Sequence, residues 1–164
     1  METSVGKLIE ILEKESQVYE DILKIAKNKT EVLVQGKVDE LKNITDIEQA
    51  LVLKVGKLEV VRDELIQEIA KQINQEAKHL TITDIIKLAA GDNKKQLKIC
   101  AEKITKIVKQ LNDTNHSNQE LINQSLDYIN FSINLLSSTH EGNTYSGRGE
   151  STKGEKKNFL DIKL

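Results

Sequence analysis

Proline and tryptophan are both absent from this 164-residue chain. At an average usage of about 5%, proline would occur roughly eight times. Because proline ends or kinks helices, its absence permits long uninterrupted ones. Aromatic residues make up 3% of the chain, which leaves Leu, Ile, Val and Ala to fill a core. A single cysteine, Cys100, excludes an internal disulfide and is compatible with a reducing compartment. No apolar run approaches the roughly 20 residues that span a membrane. The N-terminal stretch METSVGKLIEILEKE is amphipathic and acidic, without the uncharged core of a secretion signal. The expected location is the cytoplasm. A net charge of −2 gives no basic footprint for nucleic acid.

Charged side chains, at 30% of residues, are instead interleaved with apolar ones at helical spacing. Over residues 3–35, Val5, Leu12, Tyr19, Ala26 and Leu33 recur at heptad spacing, with Leu8, Ile22 and Leu23 between them. This spacing predicts a long helix on a coiled-coil-like seam, with Gly36 as its natural stop. A second helix is predicted from Val38 to about Lys78, through Val38, Leu41, Ile44, Ile47, Leu51, Val55, Leu58, Leu65, Ile69 and Ile73. The short connection at Gly36 makes these two an antiparallel hairpin. Thr81 or Thr83 is a candidate cap for a short helix through Ile85, Ile86 and Leu88. Gly91 is read as the stop of that short helix and Asp92 as the N-cap of a third long helix, from about Asn93 to Ser138. The expected fold is all-α: a long antiparallel helical hairpin plus a third long helix in a coiled-coil-like three-helix bundle. Its helical domain covers residues 1–138. Residues 139–164 hold four of the eight glycines and almost no apolar side chain before Phe159. Such a stretch cannot offset its own ordering entropy, so a flexible C-terminal tail is expected.

The third helix carries the most information. Its upstream half has one apolar stripe: Leu97, Cys100, Ala101, Ile104, Val108 and Leu111. Over residues 115–136 there are two. Placed at about 100° per residue, Ile122, Leu126, Ile129, Ile133 and Leu136 form one, and Leu121, Tyr128, Leu135 and, at its edge, Phe131 form the other. Ser125 and Ser132 lie between them. One stripe suffices for the protein's own bundle. The other is expected either to be buried against the short helix or in a homodimer, or to contact another protein. Asn115 and Asn118 fall in line with Val108, Leu111 and Ile122. An asparagine there either sets helix register or makes a polar contact with a partner where the bundle opens.

Signals for catalysis are scarce. Glu76 and His79 have the Glu-x-x-His spacing of di-iron bundles, which need two such motifs, and Asp113 with His116 is an imperfect second copy. Neither histidine falls on an apolar stripe, so solvent-facing polar residues are the ordinary reading. Cys100 lies on the apolar face and reads as a small buried hydrophobe. No phosphate-binding loop or nucleophile elbow occurs. No catalytic residue, metal site, cofactor or small-molecule substrate is expected.

Several segments together resemble the FlgN family of flagellar type III export chaperones. They are Gly36-Lys-Val-Asp-Glu-Leu41, Leu58-Glu-Val-Val-Arg-Asp-Glu-Leu65, Asn115-x-x-Asn118-x-x-Leu121-Ile122, and a glycine-rich tail with Tyr145-Ser-Gly147-Arg-Gly149. The family tail often reads Tyr-Gly-x-x-Gly, and here Ser146 takes the first glycine place. The resemblance covers nearly the whole chain. It implies a cytoplasmic chaperone that binds the C-terminal helices of hook-associated proteins at the hook–filament junction. Such a chaperone prevents early assembly and hands its client to the export gate. Carried onto this sequence, it implies client contact by Asn115, Asn118, Leu121, Ile122, Ser125, Tyr128, Phe131, Ser132 and Leu135. It also implies gate contact by Tyr145, Gly147 and Gly149. The alternative from another class is a structural or signalling coiled coil that homodimerises through the third helix.

Overall fold

Four α-helices follow one another without a strand among the described residues: α1 (Glu2–Gln35), α2 (Val38–Gln72), α3 (Ile82–Leu88) and α4 (Gly91–Glu141). The computed structural model of the chain describes residues 2–141. The all-α bundle predicted from periodicity is the one observed.

Each helix end has a local cause. At the hairpin, Gly36 takes φ +67°, a left-handed conformation that costs glycine little. Its N–H donates to the Leu33 carbonyl (3.2 Å) and the Lys37 N–H to the Val32 carbonyl (3.1 Å), which closes a Schellman cap. The same device ends α2, but earlier than Lys78. Asn74 adopts φ 54°. Its N–H donates to Lys71 (3.3 Å), and the Gln75 N–H donates to Ala70 (3.0 Å). Asparagine is among the few residues that tolerate this conformation, so the apolar period alone overran the stop. A single 3₁₀ turn, Ala77–His79, follows.

Thr81, not Thr83, caps α3. The Asp84 N–H donates to the Thr81 hydroxyl (3.2 Å) and the Thr81 N–H to the Asp84 carboxylate (3.2 Å), forming a reciprocal capping box. These Thr81 bonds, then Lys87, hold the Asp84 carboxyl below its ordinary value. Helix α4 starts at Gly91 and runs beyond Ser138 to Glu141.

Two apolar clusters lie along α1. In the larger, Val5, Leu8, Ile9 and Leu12 meet Leu65, Ile69 and Ala70 of α2 and Leu97 and Cys100 of α4, together with Leu80, Ile85 and Ala89 in and beside α3. In the smaller, Val18 and Ile22 meet Val55 of α2, with Tyr19, Leu51, Leu58 and Leu111 packed against them. Not every periodic position is buried. Val38 and Ile47 of α2 are exposed, and Val32 rather than Leu33 is the buried residue near the end of α1. A straight helix drifts by about 20° per heptad against a seven-residue repeat, so the buried line moves across neighbouring positions.

Residues up to Leu126 form one compact unit, and a second begins at Asp127.

Candidate functional site

Within the first unit, α4 buries a line that shifts gradually around the helix. Leu97, Cys100 and Ile107 are buried, and Ile104, Leu111 and Ile122 are half-buried. Val108, expected in the core, is exposed and Ile107 takes its place, a consequence of the same drift. Burial pushes the Cys100 thiol above its ordinary value, Glu13 adds to this and Lys103 opposes it. A buried thiol kept protonated is a poor nucleophile, which agrees with reading Cys100 as a small hydrophobe.

The two asparagines part company. Asn118 is 2% exposed. Its Nδ2 donates to the Ala26 carbonyl of α1 at 2.9 Å, and the Thr30 hydroxyl donates to its Oδ1 at 2.6 Å. Both ends of the amide are engaged only when position 118 stands opposite 26 and 30, so this residue fixes the register of α4 on α1. Its polar groups are thus used within the bundle. Asn115, by contrast, is exposed; one turn from the buried line, it faces a groove rather than the core. Truncating Asn118 to Ala is expected to cost about 1–3 kcal/mol, measurable by urea denaturation. The same change at Asn115 should fall within about 0.5 kcal/mol of zero.

That groove is a cavity of about 560 Å³, within the size range of ligand sites. Its floor is formed by the buried Ile22, Val55 and Asn118, and its open lips carry the exposed Val52 of α2 and Asn115 and Gln119 of α4.

The predicted contact residues divide along α4. In the first unit Leu121 and Ile122 are half-buried and Leu126 is exposed. In the second unit Tyr128 (72%) and Phe131 (63%) are exposed, as are Ile129, Ile133, Leu135 and Leu136. The expectation that one stripe serves the protein's own core therefore fails at Ile129, Ile133 and Leu136, where both stripes face solvent. Ser125 and Ser132 donate their hydroxyls to the carbonyls of Leu121 and Tyr128, each at 2.9 Å. This back-bonding uses the only proton each serine has, so neither donates to a partner in this rotamer, and both soften the polarity between the stripes. Tyr145, Gly147 and Gly149 lie outside the described residues.

Sequence reasoning missed one buried charge. Glu15 is fully buried and accepts from Arg62 Nη1 at 2.8 Å. Burial pushes its carboxyl above the ordinary value, while Arg62 pulls it back down. One carboxylate oxygen, Oε1, has no hydrogen-bond partner. The signal was present: Glu15 lies seven residues after Leu8 and seven before Ile22, on the buried seam. Arg62 lies in the Leu58–Leu65 segment on which the family resemblance partly rests.

Among the described residues no three His, Cys, Asp or Glu side chains gather as a metal site requires. His116 is exposed on α4, 3.5 Å from Glu120. Among those residues, too, no helix is long and apolar enough to cross a membrane.

Fold and surface together define a class: an all-helical bundle whose longest helix exposes apolar side chains that soluble helices ordinarily cover. The match to the FlgN protein family extends over residues 1–153, and the chain belongs to that family, whose members are flagellar export chaperones serving hook-associated proteins. A relative similar along its whole length is "Uncharacterized protein YvyG" of Bacillus subtilis (strain 168), 26% identical over 162 residues, which covers 98% of this chain and 99% of the relative. No solved structure matches.

Proposed function

We propose that this chaperone binds the C-terminal helical region of hook-associated junction proteins in the cytoplasm, prevents their premature assembly and delivers them to the type III export gate. Exposed apolar side chains on the 127–141 part of α4, chief among them Tyr128, Ile129, Phe131 and Ile133, carry this reading. Apolar patches of this kind ordinarily mark interaction sites. A client's amphipathic terminal helix has a matching apolar face that would otherwise self-assemble. Covering it by helix-to-helix contact sequesters it reversibly, with no nucleotide or cofactor required. Leu121, Ile122, Leu126 and Leu135 extend the apolar character of the same helix. Residues 1–138 serve as the chaperone domain, and residues 139–164 as a tail through which Tyr145, Gly147 and Gly149 contact the gate.

Titration calorimetry of the full chain against peptides from junction-protein C-termini tests the proposal. Tyr128→Asp and Ile133→Asp are each expected to weaken binding by about tenfold or more. Both positions are exposed, so the circular dichroism melt should not move. Absence of binding by the unmodified chain, or binding indifferent to both substitutions, sinks the proposal. A tight client-free dimer that Tyr128→Asp disperses favours the homodimerising coiled coil instead.

A further inference from the structure

Around the larger apolar cluster, Leu80, Ile85 and Ala89 bring α3 and its flanks against α1, α2 and α4 as a fourth element. Around the smaller cluster none of the described residues plays that part, and the groove opens there. We infer that this groove seats one face of the client's amphipathic helix between α2 and α4, completing the second cluster as α3 completes the first. The inference rests on the reading that the chain binds a client's helical region, and it adds a second seat for that region, within the unit that ends at Leu126 and separate from the 127–141 surface.

Gly56 argues for a close-approaching partner. It lines the groove in the middle of α2, and a Cβ added there would meet nothing within 4 Å. Nothing in the free chain requires glycine at this position, and glycine is a poor helix former. Its bare backbone lets another helix come close. Beside it, Val52 and Val55 give the α2 wall a short apolar surface, and Leu111 and Ile122 give the α4 wall another.

Charge narrows the occupant further. Glu59 lines the groove with weak partners only: the Tyr19 hydroxyl at 3.5 Å and Arg62 at 4.0 Å, the short Arg62 contact going to Glu15. Lys29 and Glu48, also lining the groove, already pair with each other at 2.5 Å. The α4 lip, Asn115 and Gln119, is uncharged. The complementary helix has a stripe of small apolar residues edged, on its α2 side, by a Lys or Arg that meets Glu59.

Gly56→Leu and Val52→Asp in the full chain test this, titrated against the same junction-protein C-terminal peptides. Both positions face open space or solvent, so melting temperatures should hold or, for Gly56→Leu, rise. Each substitution is expected to weaken peptide binding by about tenfold or more. If the unmodified chain binds and both variants bind equally well, the groove assignment is overturned while the chaperone reading stands. If the unmodified chain does not bind, both are overturned. A client-free dimer that Gly56→Leu disperses assigns the groove to a second copy of this chain and overturns the inference as well.

Discussion

Replacing Arg62 with Met is expected to lower the folding free energy by about 3–5 kcal/mol, because it strands the fully buried Glu15 carboxylate without its counter-charge. The effect carries a pH signature. Burial already raises the Glu15 carboxyl above its ordinary value of 4.5, and Arg62 opposes that rise. A carboxyl with a raised folded-state value contributes stability that is fully present below its unfolded value and is lost as pH climbs through the folded one. Without Arg62 the folded value rises further, so the loss extends over a wider range. The deficit of Arg62→Met should therefore be small near pH 4 and grow toward pH 8 in urea titrations. Glu15→Met combined with Arg62→Met should recover most of it, since an apolar pair of similar volume often replaces a buried ion pair at no net cost. A deficit that is flat with pH would mean that Arg62 stabilises by packing alone.

Leu97→Ala should cost about 2–5 kcal/mol. The Leu97 side chain is 0% exposed, in the cluster shared by all four helices, and neighbours held by three other elements cannot collapse freely into the space it leaves. Leu126→Ala, the same chemical change further along the same helix, should cost less than about 0.5 kcal/mol, because Leu126 is already 53% exposed. Denaturant midpoints for the two variants give the comparison directly, and equal losses would contradict the placement of the core.

These two leucines show how far periodicity reads. Both occupy apolar positions at helical spacing, and sequence alone ranks neither above the other. What differs is whether a neighbouring element arrives to cover them. The same holds for Asn115 and Asn118, two residues of one spacing pattern. Only the approach of Ala26 and Thr30 distinguishes the register-setting amide from the one on the groove lip. Glu15 was legible in principle as a charge on the Leu8–Ile22 seam, but its partner lies 47 residues away, and no local pattern names Arg62.

By itself the sequence determined that the described residues are helical, that three long helices and one short one follow in this order, and that the first stops at Gly36. Proline content, apolar period and capping residues act within a turn or two of the chain, and are therefore readable from it. The resemblance carried by its segments also pointed to the right family. Tertiary structure alone decided which apolar positions of α4 are covered, which polar groups are satisfied internally, and where α1, α2 and α4 leave a groove. Those outcomes depend on surfaces from residues far apart in the chain meeting at a given azimuth. A drift of about 20° per heptad is enough to move a side chain from core to lip.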